Sequence, residues 1–340
     1  MLLTSSALYG VEVENLYVAE VPVASQSTAD LARAARSGML RVLVRACGSS
    51  GVVDNEMVIR ESAHPEQYYY QYSYLRNDLG SGTMGETSQL LQVHFEPNAI
   101  ARLLRDAGYP VWGSNRPSTL VWLAIENKTG RFLLSDHSSD DFVALLTAES
   151  RRRGLPLLLP LLDLEDEANI TTAAVWGGFQ GRVDIASQRY APDAILSGRL
   201  YQGPDGEWSG YWFYKTDRDW FAFENLSIHA SDVVAGVVDR LADALASKYA
   251  IDSTRGQIQL RVEGISSLSD YVAVSQYLRN LAPVLDVAVD EVKGPEILFN
   301  QQMQGQIEQL MEVINLDQKL VYTGRPGAVD TRELNYRWVE

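Results

Sequence analysis

Three apolar stretches constrain the fold most: Thr119–Glu126, Leu155–Leu162 and Ala194–Tyr201. Each has the length of a strand, and helical patterns at Asp140–Arg153 and Thr171–Tyr190 separate them. Strand, helix, strand reads as parallel pairing, and strands apolar along their whole length read as covered on both faces. The middle of the chain is therefore expected to be a helix-covered α/β sheet. Glu207–Thr216 and Asp219–Leu226 follow as an antiparallel hairpin about Asp217-Arg218, and a helix with Val233, Val234, Val237, Val238, Leu241 and Leu245 on one stripe closes the segment.

Before this region, Tyr9–Ala24 is β-rich, and Ser27 is placed to cap a helix whose inward stripe is Leu31, Ala35, Met39, Val42 and Ala46. Arg33, Arg36, Arg41 and Arg45 fall off that stripe and read as a solvated face. A short helix is expected near Glu56–Ser62, then a hairpin of Tyr68–Arg76 and Ser88–Glu96 joined by Asn77–Thr87, then a helix opened by Pro97 and ended by Gly108. Tyr109–Pro117, with two prolines and a glycine, reads as a junction. Beyond it all, Gln257–Ile265, Ser269–Ala282 and Leu285–Val292 repeat in kind as Ile297–Gln304, a helix with Ile307, Leu310, Met311 and Ile314, and Lys319–Tyr322. Strand–helix–strand twice is the ferredoxin-like βαββαβ pattern. In the tail from Gly324, Leu334, Tyr336 and Trp338 alternate as one face of an extra strand would.

The expected fold class is thus α/β and α+β, in three small modules: an N-terminal α/β module over 8–110, a mixed-sheet domain over 117–250, and a ferredoxin-like module over 256–323 followed by a tail over 324–340. Residues 1–7 read as the remnant of a signal peptide, with small Ser5 and Ala7 as a cleavage pair before Leu8. No run reaches the roughly 18 apolar residues that span a bilayer. A net charge of -15 opposes binding of nucleic acid or anionic lipid through the general surface. The single cysteine, Cys47, leaves no intrachain disulfide or cysteine-based zinc cluster and reads as a small buried hydrophobe.

Catalytic signals are weak. Asp163, Glu165, Asp166 and Glu167 gather just past a strand end, where open α/β sheets bind ligands, and make a metal-assisted hydrolase the rival enzymatic reading. Charges at a helix start explain the same cluster. Asp136-His137-Ser138 holds triad residue types as neighbours, whereas a working triad draws them from separate elements. Gly177-Gly178-Phe179-Gln180-Gly181-Arg182 lies within a helical pattern, not directly after a strand, and reads as packing or a helix break. No catalytic residue, metal ligand or cofactor is expected.

The unusual chemistry is aromatic. Trp208, Trp212 and Tyr214 alternate with Tyr211 and Phe213, while Trp220 and Phe221 begin the returning strand. Both faces of the hairpin are therefore apolar, and the face that misses the core needs cover from the chain's other domains or from a partner. Trp208, Trp212, Tyr214 and Trp220 are the candidate partner-binding residues.

The strings Pro110–Trp122, Arg152–Asp163 and Asp193–Leu200 resemble an uncharacterised proteobacterial envelope family, the domain of unknown function numbered two thousand and sixty-six. The order of a small α/β domain followed by one ending in Ala194–Leu200 more distantly resembles the flagellar H-ring T family, whose middle domain is similar to the N-terminal domain of TolB and to lipoprotein activators of penicillin-binding proteins. The resemblance implies a TolB-N-like middle domain and protein recognition in the periplasm, and brings no catalytic residues. The ferredoxin-like segment departs from that pattern, so no flagellar role carries over. The expectation is a periplasmic, non-enzymatic adaptor or assembly factor, binding envelope proteins of unknown identity through aromatic strands and open to homo-oligomer formation. A small-ligand sensor built on the ferredoxin-like module is the third reading.

Overall fold

A computed structural model of the protein describes residues 11–76, 89–128, 130–138, 140–250, 255–281, 283–305, 307–324 and 333–339. The expected signal remnant over 1–7 and the hairpin loop over 77–87 lie outside the described residues. The fold is mixed α/β, and the strands described form four sheets. Two compact units divide the chain: residues 114–245 with the described residues before Glu14, and residues 14–113 with 246–340. The first strand, β1 (Val11–Glu12), belongs to the former.

In the unit that begins at Glu14, β2 (Val18–Val23) leads through Ser27 into α1 (Thr28–Cys47), whose first turn is capped by the Ser27 hydroxyl accepting from the Asp30 N–H. Gly48 ends the helix in the left-handed conformation, where the close approach of Trp112 and Ala246 also leaves no room for a side chain. α2 (Glu56–Glu61), β3 (Tyr69–Arg76), β4 (Gln89–Phe95) and α3 (Pro97–Asp106) follow. The three strands form one antiparallel sheet in the order β2-β4-β3. Its core face buries Val21, Leu91, Val93 and Phe95 against Met39, Val42, Leu43, Ile100 and Leu104 of the helices.

Arg33, Arg36 and Arg41 of α1 are exposed, as a solvated face requires, and Arg45 is the exception, partly buried against a strand edge. Arg45 donates to the carbonyls of Asn15, Leu16 and Val18 at 3.0, 3.4 and 3.1 Å, and Arg41 donates to the Glu20 carbonyl at 3.1 Å. Helical spacing showed that these side chains leave the apolar stripe, but not that a strand edge lies within their reach.

The other unit holds the central sheet. β5 (Asn115–Arg116) pairs with β1, and β6 (Thr119–Asn127) is buried over its first seven residues. Next come β7 (Gly130–Leu133), α4 (Asp141–Arg153), β8 (Leu157–Leu158), α5 (Leu164–Asn169), α6 (Thr172–Trp176), α7 (Gln180–Ser187), β9 (Ala194–Gln202), β10 (Trp208–Thr216) and β11 (Asp219–Ser227). α8 (Ala230–Tyr249) carries the chain on into the second unit. The sheet order is β11-β10-β9-β6-β7, with β8 also paired to β6. β6 runs parallel to β9 and β8 and antiparallel to β7. The Ser118 N–H and hydroxyl both donate to Asp193 at 2.8 Å, fixing the start of the β6–β9 register.

Two expectations about this unit need correction. Leu155–Leu162 contributes only Leu157 and Leu158 to the sheet, because Pro156 and Pro160 flank them and lack the N–H a ladder needs. The helix expected over Thr171–Tyr190 is two helices, broken at Gly177–Phe179 as the glycine string there suggested; Gly178 has a φ of 70° and sits so close to the Phe213 ring that a Cβ would overlap it. β7 was not anticipated, being a four-residue edge strand with little apolar pattern.

The C-terminal part of the second unit comprises β12 (Arg255–Glu263), α9 (Leu268–Asn280), β13 (Val284–Lys293), β14 (Glu296–Gln304), α10 (Ile307–Asp317), β15 (Leu320–Tyr322) and β16 (Glu333–Trp338). The sheet order is β13-β14-β12-β16-β15. β16 therefore enters the sheet parallel to β12 and antiparallel to β15, burying Leu334 and Tyr336 with Ile258, Leu260 and Phe299 against Val274 and Leu278 of α9 and Leu310 and Ile314 of α10. The opposite side carries polar pairs such as Arg261–Glu333 at 2.7 Å and Gln259–Asp290 at 3.2 Å.

Candidate functional site

The aromatic hairpin is built by the register of β10 and β11. Asp217, with a φ of 58°, makes a two-residue turn that sets Thr216 opposite Asp219, Lys215 opposite Trp220, Tyr214 opposite Phe221 and Trp212 opposite Phe223. Strand alternation then sorts the four candidate residues. Trp208, Trp212 and Tyr214 share one face. Trp220 lies on the other, because its partner Lys215 is offset by one residue from Tyr214. The four do not form a single surface.

On the first face, Trp212 is fully buried. Its ring lies over Gly198 and Gly210, where any Cβ would overlap the indole. Its Nε1–H donates to Asn225 Oδ1 at 2.8 Å, and the Asn225 amide donates in turn to the Val233 carbonyl of α8 at 2.8 Å. Trp212 therefore anchors the hairpin and presents no contact surface. Trp208 is half-buried and packs edge-on to Phe142 of α4 at 5.5 Å between centroids. Tyr214 stacks on Phe221 at 5.2 Å, with Phe223 at 6.1 Å and the Arg240 guanidinium 4.7 Å above the Phe223 ring. Tyr214 and Phe221, the latter 46% exposed, carry this face to the edge of the sheet.

On the second face, Trp220 packs against the cluster of Leu120, Trp122, Val175 and Val183. Its indole N–H donates to Asp184 at 3.4 Å, beside a 2.6 Å ion pair of Lys215 with the same carboxylate. Further along this face, near the carboxyl ends of β6 and β9, lies a run of stacked cations and rings that sequence reasoning missed. The Arg131 guanidinium sits 3.9 Å above Trp176, and Arg199 donates to the Trp176 carbonyl at 2.9 Å while lying 4.8 Å from the Tyr211 ring. Trp176 also contacts Tyr201, and Tyr211 contacts Phe213. Four separate elements, β7, α6, β9 and β10, supply these groups. The available signal was Arg199 and Tyr201 recurring two apart in an otherwise apolar strand.

β11 is the outer strand of the sheet among the described residues. Leu226 is 65% exposed, and Ile228, directly after the strand, 67%. With Phe221 they present apolar side chains along a strand whose exposed charges, Asp219 and Glu224, are both acidic. This edge can accept an extended segment by backbone pairing and offer its side-chain faces to alternate residues of the guest.

In the acidic cluster only Asp166 is buried, while Asp163, Glu165 and Glu167 are exposed. Asp163 caps α5 by accepting from the N–H groups of Glu165 and Asp166 at 3.1 Å, and receives both ends of the Arg189 fork at 2.6 and 3.0 Å. Arg189, aided by the Asp166 N–H, holds the Asp163 carboxyl down to about 2. Asp166 is buried and accepts from the Leu162 N–H at 2.9 Å, the Tyr190 hydroxyl at 2.5 Å and Arg189 at 3.2 Å. Burial, with that bond, pushes the Tyr190 hydroxyl up to about 12. Glu165 reaches Arg189 only at 3.7 Å, and Glu167 is exposed. Among the described residues no three His, Cys, Asp or Glu converge as a metal site.

The remaining motifs fall into local structure. Ser138 bonds Ser135 at 2.9 Å in a turn, leaving its hydroxyl engaged away from a triad with His137. Cys47 is buried, and its sulfur accepts from the Ser49 N–H at 3.3 Å. No helix among the described residues is long and apolar enough to cross a membrane.

No curated protein matches the chain. The three strings that carried the resemblance to the envelope family fall almost wholly outside the region that a family model recognises. Residues 10–113, which contain β2 through α3, match an uncharacterised family described as a domain of unknown function (DUF8605).

Proposed function

We propose that the protein is a non-enzymatic adaptor or assembly factor of the Gram-negative periplasm, and that its central sheet holds an extended segment of another envelope protein along β11. The observation that carries this reading is the nine-residue outer strand with Phe221, Leu226 and the following Ile228 exposed. Backbone pairing supplies affinity in such a contact, and the side-chain faces supply selection. Two exposed carboxylates on the strand favour a neutral or basic guest over an acidic one.

The resemblance of Pro110–Trp122, Arg152–Asp163 and Asp193–Leu200 to the envelope family numbered two thousand and sixty-six is what favours the periplasmic assignment. We read the central sheet as TolB-N-like, on its parallel β6–β9 pair and closing β10–β11 hairpin. We read the C-terminal sheet as a ferredoxin-like arrangement widened by β16, since removing β16 from the order leaves β13-β14-β12-β15. The acidic cluster supports a fold-holding role, because Asp163 and Asp166 spend their oxygens on Arg189, Tyr190 and backbone N–H groups.

Two experiments test this reading. Fractionation of cells expressing the full reading frame is expected to recover the protein with periplasmic markers; purely cytosolic recovery contradicts the export assignment. Phe221→Asp and Leu226→Asp are expected to remove co-purifying envelope proteins while the circular dichroism spectrum is unchanged. Retention of every such protein by both variants contradicts the β11 assignment.

A further inference from the structure

The amino-terminal sheet has two outer strands, β2 and β3, and treats them in opposite ways. Along β2, Tyr17 accepts from the Phe95 N–H of β4 at 2.9 Å, so alternation turns the backbone groups of Val18, Glu20 and Pro22 outward. Most of these groups are already engaged or lack a donor. The Val18 N–H donates to Asn15, the Val18 carbonyl accepts from Arg45, the Glu20 carbonyl accepts from Arg41, and Pro22 has no N–H. The helix beside β2 has thus blocked that edge against strand addition.

β3 carries no such block among the described residues. The Glu96 N–H donates to the Tyr68 carbonyl at 2.8 Å, and after the irregularity between Tyr69 and Gln71 the pairs Gln71–His94, Ser73–Gln92 and Leu75–Leu90 use the β4 backbone groups that face away from β2. The N–H and C=O of Tyr72 and Tyr74 therefore point outward. Tyr70 is 66% exposed, Tyr72 44% and Leu75 37%. Tyr69, Tyr72 and Tyr74 already form an edge-to-face ladder, with centroids 5.9 and 6.1 Å apart.

We propose that β3 is a self-association edge, on which two copies of the chain pair antiparallel about a two-fold axis and join their three-stranded sheets into one of six strands. Charge selects the second copy as the occupant. A two-fold contact sets a surface against itself, so like charges on it oppose closure. In a chain of net charge -15, β3 carries a single charge, Arg76 at its last position, and none over Tyr69–Leu75, where a two-fold axis near Tyr72 would set the strand against itself. The other long outer strands carry several like charges: β11 has Asp219 and Glu224, and β13 has Asp286, Asp290 and Glu291. Aromatic rings across the new strand pair would extend the tyrosine ladder.

Sedimentation of the purified full chain over a wide concentration range tests the proposal. The wild-type protein is expected to show a concentration-dependent dimer. Tyr72→Pro removes an outward N–H, and Tyr72→Lys sets two ammonium groups near one another; each is expected to weaken dimerisation by about tenfold or more, as loss of roughly 1.4 kcal/mol requires. Tyr72 lies outside the buried cluster, and if the proline variant loses its circular dichroism spectrum the lysine variant decides. Phe221→Asp, on the strand assigned to a foreign guest, is expected to leave the dimer intact. A wild-type protein monomeric throughout, a dimer indifferent to Tyr72→Lys, or a dimer lost only with Phe221→Asp would each overturn the proposal, and the last would reassign self-association to β11.

Discussion

The indole N–H of Trp212 and the side-chain oxygen of Asn225 are 2.8 Å apart across β10 and β11, and the Asn225 amide continues to the Val233 carbonyl of α8. One asparagine thus satisfies a fully buried donor and ties the hairpin to its covering helix. Asn225→Ala leaves that indole N–H without its acceptor, a loss of about 1–3 kcal/mol. Urea unfolding monitored by tryptophan fluorescence should show a lower midpoint with an unchanged slope.

Gly198 and Gly210 make room for the same ring. Neither glycine needs a left-handed backbone; what each needs is the missing Cβ, because the indole occupies that space. Gly198→Ala should therefore destabilise by about 1–3 kcal/mol through overpacking. Gly206, in the connection before β10 and with nothing close to where its Cβ would be, should differ. Its positive φ of 88° makes Gly206→Ala a backbone penalty confined to the loop, which thermal unfolding can compare with the core substitution.

Acid should loosen the Asp163–Arg189 contact in a defined window. The Asp163 carboxyl titrates near 2 in the folded chain against an ordinary 3.8, so its contribution is complete above the ordinary value and is lost as pH falls from there toward 2. Asp163→Asn keeps a capping oxygen but loses the ion pair. The variant should show a shallower fall of melting temperature between pH 3.8 and about 2 than the wild type.

Arg45 and β2 provide a test in the other unit. Arg45→Ala removes donors from the Asn15, Leu16 and Val18 carbonyls and the aliphatic stem packed beside them. A stability loss of about 1–3 kcal/mol is expected in chemical denaturation. Because it also bares an outer strand, the variant should aggregate more readily in light scattering.

Much of the element order was legible because hydrophobic period is a local property. Ser27 before Leu31, Ala35, Met39 and Val42 marks α1 from start to stripe, and the alternation of Leu334, Tyr336 and Trp338 marks β16. What period does not carry is the neighbour. Alternation identified β16 as a strand but not its place between β12 and β15, which depends on contacts some seventy residues apart in sequence. The same limit explains the aromatic hairpin. Trp208, Trp212, Tyr214 and Trp220 were visible as rings, yet their faces depend on a turn at Asp217, and the burial of Trp212 depends on two glycines in different strands. Arg131, Trp176, Arg199 and Tyr211 come together only through tertiary structure. Prolines at 156 and 160 were equally visible and outweighed the apolar run they interrupt.

We propose that the chain works by being paired along an outer strand. Site-specific photo-cross-linking in the native cell tests it most directly, with the photoreactive residue placed in turn at Phe221, Ala222, Phe223, Glu224 and Leu226. Cross-links to one envelope protein are expected at successive positions along the strand, with the yield alternating between its two faces as a paired guest requires. Cross-links absent along β11 but strong at the acidic cluster around Glu165 and Glu167 would contradict it.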